Sequence, residues 1–141
     1  MDSPFIFDLS YYEEVNDQLK EIVNTEKEKM SKASLQIVQS IANQGLVHIF
    51  GTGHSHMFGE EAFYRAGGLA CINPILAPSL MLHTAAMKSS ALEALEGYAE
   101  KIFNHVQPEQ SDIFVIFSTS GVNYVPVEIC LLSPSPSPRH Y

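Results

Sequence analysis

Two short stretches concentrate the residues that can do chemistry. The first is Gly51-Thr52-Gly53-His54-Ser55-His56, with Glu60 and Glu61 a turn further on. The second is Ser118-Thr119-Ser120-Gly121, followed closely by Asn123. Each mixes hydroxyls with glycine and follows an apolar run. A strand that ends in such a turn and re-enters a helix presents unpaired backbone N–H groups and the positive end of a helix dipole. Anions, phosphate above all, bind there. Thr52, Ser55, Ser118, Thr119 and Ser120 add hydroxyl donors. Gly51, Gly53 and Gly121 let the backbone approach an anion closely. Neither stretch contains Lys or Arg. Charge balance then falls to amides and dipoles, which favours a phosphate monoester over a polyphosphate.

The same stretch carries acid–base candidates. His54 and His56 flank Ser55, and imidazole titrates near neutrality. Glu60 and Glu61 sit in the first turns of the following helix, where a carboxylate beside the loop can serve as a general acid or base. Glu61 stands four residues before Arg65, a spacing that makes a surface pair, so Glu60 is the better acid–base candidate. The bland alternatives are that the histidines bond backbone groups and that the acids stabilise a helix dipole. A zinc site needs three or four ligands. His48, His83, His105 and Cys71 have no spacing that assembles them around His54 and His56, so neither metal nor other cofactor is expected. A serine nucleophile is disfavoured, since no G-x-S-x-G is present.

Nucleotide readings of the first loop fail on named positions. A P-loop needs Gly-Lys-Ser/Thr, and the loop has no Lys. A dinucleotide fingerprint needs a third Gly where His56 stands and an acid about twenty residues on, where 71–78 contain none.

Stepping out from the loops, residues 46–50 (LVHIF) and 113–117 (IFVIF) read as buried parallel strands, with 69–76 (LACINPIL) a third. Helical spacing marks 9–43, with Asp8 or Ser10 as cap, Gly45 as stop, and a charged stretch at 25–32 able to hold a break. It also marks 57–66, stopped by Gly67-Gly68, then 91–106, and a helix from about Val125 with Pro126 in its first turn. Residues 79–90 fit either a short helix or an ordered loop. Strands alternating with helices imply a three-layer, doubly wound parallel α/β sheet, with helices on both faces and both loops on its carboxyl edge. The division expected is a helical segment over 1–45, an α/β domain over 46–130 and a Ser/Pro-rich tail over 131–141. The long first helix suits either cover for a sheet face or pairing with a second subunit.

The totals narrow the class. The 141 residues suit one domain, and 45% hydrophobic with 17% charged residues is a globular composition. The net charge of −8 and the lack of a basic run argue against nucleic acid. No apolar stretch is long enough to span a bilayer, and the N-terminus lacks the pattern of a secretory signal. Cys71 and Cys130 read as reduced core residues of a cytoplasmic protein.

The order GTGHSHMFGEEAFYRAGGLACINPIL, then FSTSGVNYVPVE, resembles the SIS (sugar isomerase) domain family. The closer likeness is to an uncharacterised subgroup similar to phosphoheptose isomerase. The resemblance covers about residues 5 to 129. It implies a flavodoxin-like fold, phosphosugar binding with aldose–ketose isomerisation as the candidate reaction, and homodimers or larger homo-oligomers. Asn123 stands where many members have Ser or Thr. Complete SIS domains continue past this point, so the chain resembles a truncated or frame-shifted member, incomplete at its C-terminus. A non-catalytic phosphosugar sensor and a non-functional fragment are the alternative readings.

Overall fold

A computed structural model of the chain describes residues 9–134. The chain divides into two compact units, Met1–Gln36 and Ile37–Tyr141.

In the first unit, α1 (Ser10–Thr25) is followed by the start of α2 (Lys27–Ala42). The single helix expected over 9–43 is therefore two, broken at Glu26 inside the charged stretch. The Thr25 hydroxyl donates to the Glu21 carbonyl at 2.9 Å, and such back-bonding weakens the local helix ladder. Ser10 is the first helical residue and not the cap. Leu9 takes the cap position without a side-chain bond, and Asp8 lies outside the described residues. α1 buries no residue. Tyr12, Val15, Leu19, Ile22 and Val23 are all exposed.

The second unit begins with the end of α2. Gly45 does not close that helix by a left-handed turn; Gln44 does, with φ 62°. Gly45 is needed for room, because a Cβ there would sit 2.1 Å from the Ser111 carbonyl oxygen. The sheet follows: β1 (Val47–Gly51), β2 (Ile72–Ile75) and β3 (Ile113–Phe117), all parallel, in the order β2-β1-β3. β1 is central and buried along its whole length. Pro74 is tolerated because β2 is an edge strand. β2 is shorter than the 69–76 expected. Turns closed by Gly68 N to Arg65 O (2.9 Å) and Ile72 N to Leu69 O (3.3 Å) occupy the backbone before it.

The two sheet faces bury different helices. Phe50 and Ile75 join Leu80, Ala99, Val125 and Ile129 in one core cluster, with Phe114 and Ile116 packed against it. This is the face of α5 (Tyr98–Val106) and α6 (Tyr124–Leu132). On the other face, α3 (Met57–Ala62) lies close to Ile49 and Pro74, which a Cβ at Gly59 would meet at 3.5 and 3.3 Å. Helices on both faces are what a doubly wound sheet requires.

Several boundaries differ from expectation. α3 ends at Ala62, and the turn over 65–68 replaces its last helical turn. Residues 79–93 contain α4 (Leu82–Glu93), kinked where Ala85 is extended (φ −173°, ψ 97°). The helix expected over 91–106 is split by Gly97, whose φ of 76° needs no Cβ. The Glu128 carboxylate accepts the Gly97 amide at 2.8 Å, which gives Glu128 a capping task in place of a site role. α6 runs to Leu132, so 131–132 are helical and not tail; the Ser133 amide and hydroxyl close it on Ile129 O (3.0 Å) and Cys130 O (2.9 Å). The remaining Ser/Pro tail, 135–141, lies outside the described residues.

The amino ends of the three strands are tied by one buried polar cluster. His48 Nε2 meets Asp112 Oδ2 at 2.9 Å, and Asn73 Nδ2 meets His48 Nδ1 at 2.8 Å. The Leu46 and Glu109 amides donate to Asp112 at 2.7 and 2.8 Å. Burial pushes the Asp112 carboxyl up, but the Leu46 amide, His48 and the Glu109 amide outweigh it and hold it below the usual carboxylate value. Cys71 and Cys130 are free thiols, each half-buried. Among the described residues no helix is long and apolar enough to cross a membrane.

Candidate functional site

The strand order makes the carboxyl edge of β1 and β3 the place where winding changes direction. In open α/β sheets ligands bind in the crevice outside such a switch point. Gly51, the last residue of β1, pairs in register with Phe117, the last of β3. The two hydroxyl loops therefore leave the sheet side by side. The Phe58 ring of α3 stacks on Phe117, with centroids 4.3 Å apart and planes 14° apart, which ties the helix after the first loop to the root of the second.

The first loop folds tightly back on itself. Residues Gly53–His56 form a single 3-10 turn. A Cβ on Gly51 would sit 2.4 Å from the Ser55 carbonyl oxygen and 2.9 Å from the His56 amide nitrogen, and Gly53 has φ 54°. Gly51 thus provides room for the loop's own backbone, and Gly53 supplies the left-handed step. Thr52 is buried, and its hydroxyl donates to Glu93 Oε1 at 2.5 Å. Ser55 is half-buried and His54 exposed.

His56 is 6% exposed. Its Nδ1 bonds the Gly53 carbonyl oxygen, and a carbonyl only accepts, so Nδ1 carries a proton. Nε2 is then a base in the neutral ring and a second donor in the charged one. Glu60 Oε1 lies 3.4 Å from that Nε2, and the His83 ring centroid is 5.5 Å from that of His56. Glu61 contacts Arg65 on the surface. His56, Glu60 and their loop are thus brought together, while His54 stands apart in solvent. Among the described residues no group of three His, Cys, Asp or Glu side chains is placed to hold a metal ion.

The second loop is open. Ser118, Thr119, Ser120 and Gly121 are all exposed. The Gly121 amide donates to Ser118 Oγ at 3.0 Å, and Gly121 has φ 66°. The Val122 amide reaches Ser120 Oγ at a long 3.5 Å. Asn123 holds the N-cap position of α6, but its side chain makes no capping bond. In the first turn of α6, Tyr124 and Val125 carry amide donors and Pro126 has none.

Glu93, which no motif marks, and His83, set aside above among the scattered histidines, are brought to Thr52 and beside His56. Both lie on α4, and no motif marks a residue whose only signal is where a kinked helix places it. Two concavities lie elsewhere. One of about 650 Å³ is lined by β2 and α5 residues including Asn73, Tyr98 and His105, and one of about 500 Å³ by residues between Phe63 and Ile72.

These features define a flavodoxin-like α/β domain with two hydroxyl-rich loops at its switch point. The SIS domain model matches residues 10–133, and the chain belongs to the SIS domain family. It is 41% identical over 121 residues to a UPF0309 protein of Geobacillus kaustophilus (strain HTA426), covering 86% of this chain and 48% of that protein. It is 44% identical over 111 residues to one of Listeria monocytogenes serotype 4b (strain CLIP80459), covering 79% and 45%. A third, from Caldanaerobacter subterraneus subsp. tengcongensis, is 43% identical over 122 residues, covering 86% and 50%. The chain spans about half the length of the curated relatives it matches.

Proposed function

We propose that this chain binds a phosphorylated sugar above the ends of β1 and β3, and that His56 and Glu60 serve proton transfer in an aldose–ketose isomerisation. The observation that carries the reading is the register of Gly51 on Phe117, which sets two hydroxyl-rich loops beside one another in a SIS domain. Phosphate would be held by the hydroxyls of Ser118, Thr119 and Ser120, by the Gly121 amide now given to Ser118, and by the first turn of α6. Gly51, Thr52, Gly53, Ser55 and Asn123 shape the crevice around it.

Isomerisation moves a proton between two adjacent carbons. One group must take it, and another must serve the oxygens. His56 with its Nδ1 anchored, beside a half-exposed Glu60, is a pair of that kind. The homo-oligomeric state belongs to the same reading: apolar residues of α1 recur at helical spacing and are exposed among the described residues. Free Cys71 and Cys130 fit a reducing, cytoplasmic setting.

The test is calorimetric titration of the folded chain with a panel of aldose and ketose 6-phosphates, with the unphosphorylated sugars as controls. Saturable binding that requires the phosphate is expected. A folded chain that takes up none of the panel at millimolar concentration overturns the proposal.

A further inference from the structure

The concavity of about 650 Å³ lies between edge strand β2 and α5, and no residue of either hydroxyl loop lines it. Its size is that of a site for a small organic molecule. Much of the wall is apolar: Pro74, Ile75 and Leu76 on the strand side, Ile102 and Val106 on α5. Leu76 is 39% exposed, so an apolar body seated there would take it out of water. The polar groups of the α5 wall are Tyr98, Lys101 and His105, at steps of three and four along one helical face. The Tyr98 and Ser79 hydroxyls lie 2.6 Å apart. One donates to the other, which leaves one O–H free to donate to a ligand.

The charge of this lining is opposite to that of the chain. The chain carries −8, yet the lining holds Lys101 and His105 and no Asp or Glu. Positions three and four away from Lys101 on α5 hold Gly97, Tyr98, Asn104 and His105, none of them acidic. Among the described residues the ion pairs fall elsewhere, and both Lys101 and His105 are exposed without a carboxylate partner. We propose that this concavity is a second ligand site, taking a small carboxylate with an apolar body, its charged end on Lys101 and its body against Pro74, Leu76, Ile102 and Val106. Lys101 supplies one full charge, which suits a monoanion, and Pro74 removes a backbone donor that a phosphate dianion would need. A sugar fits this wall poorly, because its hydroxyls would lose water against apolar side chains. The site is independent of the phosphosugar reading.

The test titrates the folded chain with 4-phenylbutyrate and with its neutral counterpart 4-phenylbutanol, followed by protein NMR. Lys101→Met keeps an apolar stem and removes the charge; the side chain is exposed, so the fold is retained. Leu76→Ser removes part of the apolar wall. Expected are saturable shifts on β2 and α5, with phenylbutyrate bound about tenfold more tightly than phenylbutanol. Lys101→Met should abolish that preference, and Leu76→Ser should weaken both probes. Binding of a ketose 6-phosphate should be unchanged in either variant. Equal affinity for the two probes, or a preference that survives Lys101→Met, overturns the proposal. So does the absence of shifts at millimolar phenylbutyrate. Displacement of phenylbutyrate by the ketose 6-phosphate would assign the anion to the loops and overturn it as well.

Discussion

Asp112 Oδ2 lies 2.9 Å from His48 Nε2, with both side chains buried, and the pair closes a polar clamp across the amino ends of all three strands. Its position at the end of the sheet opposite the hydroxyl loops makes it a device of the scaffold and not of the site. The clamp sets a pH dependence. The native Asp112 carboxyl is held below its usual value, whereas in the unfolded chain it titrates near about 3.9. The ionised form is therefore favoured by folding. Its contribution is fully present above about pH 4 and is lost as pH falls through the lower native value. Urea unfolding followed from pH 7 to pH 3 should show stability dropping below that point. Asp112→Asn should flatten this acid limb and lower stability at pH 7 by about 2–3 kcal/mol, because charge-assisted bonds to Leu46, His48 and Glu109 are weakened. An unchanged acid limb in the variant removes Asp112 as its source.

The glycines of the first loop make a second prediction, because they do different jobs. A Cβ on Gly51 meets the loop's own backbone, while a Cβ on Gly53 meets nothing within 4 Å and suffers only from φ 54°. Gly53→Ala should cost about 1 kcal/mol. Gly51→Ala must move the Ser55–His56 backbone, should cost about 1–3 kcal/mol, and should abolish any ligand binding that depends on the loop. Thermal denaturation of the two variants side by side checks the order; equal losses would contradict the packing argument.

The strands and the two loops were legible because they carry strong local signals. LVHIF and IFVIF are apolar runs bounded by turns, and each ends in glycine and hydroxyl residues whose conformational needs are local. What was not legible depends on contacts between distant positions. Nothing in the neighbourhood of Gly97 announces that Glu128 will cap its amide, so one helix was expected where there are two. Gly45 looked like a helix stop, yet its smallness answers to Ser111, far along the chain. Glu93, on α4, meets Thr52 from 41 positions away in the chain, and no spacing rule encodes that contact. The helix after the second loop was placed to within a residue by Pro126, and Asn123 holds its N-cap position without a side-chain bond.

Self-association provides a third prediction. Leu19 and Ile22 of α1 are 55% and 48% exposed, three residues apart on one helical face. If α1 pairs with a second copy, Leu19→Asp with Ile22→Asp places charges in the contact and should drive the chain to monomer. Sedimentation velocity across a hundredfold range of concentration reads this directly. Wild type sedimenting as a monomer throughout would set the oligomer aside.

The most direct test of chemistry uses His56 and Glu60. An isomerase that shuttles a proton between adjacent carbons exchanges the substrate's C–H for deuterium in D2O even when net turnover is small. Proton NMR of an aldose 6-phosphate incubated with the chain should show loss of the signal at the carbon next to the carbonyl. Glu60→Gln keeps the size of the side chain and removes the base, so exchange should fall by about a hundred- to ten-thousand-fold, with affinity changed by less than about threefold because the phosphate contacts lie on the other loop. His56→Gln should also reduce exchange, but with some loss of binding, since the bond from Nδ1 to the Gly53 carbonyl helps to shape the loop. His54→Ala should leave both quantities near wild type, as the exposed ring takes no part in that pairing. If Glu60→Gln and His56→Gln bind the sugar phosphate normally and wild type shows no exchange, the site binds without reacting, and the domain senses its ligand.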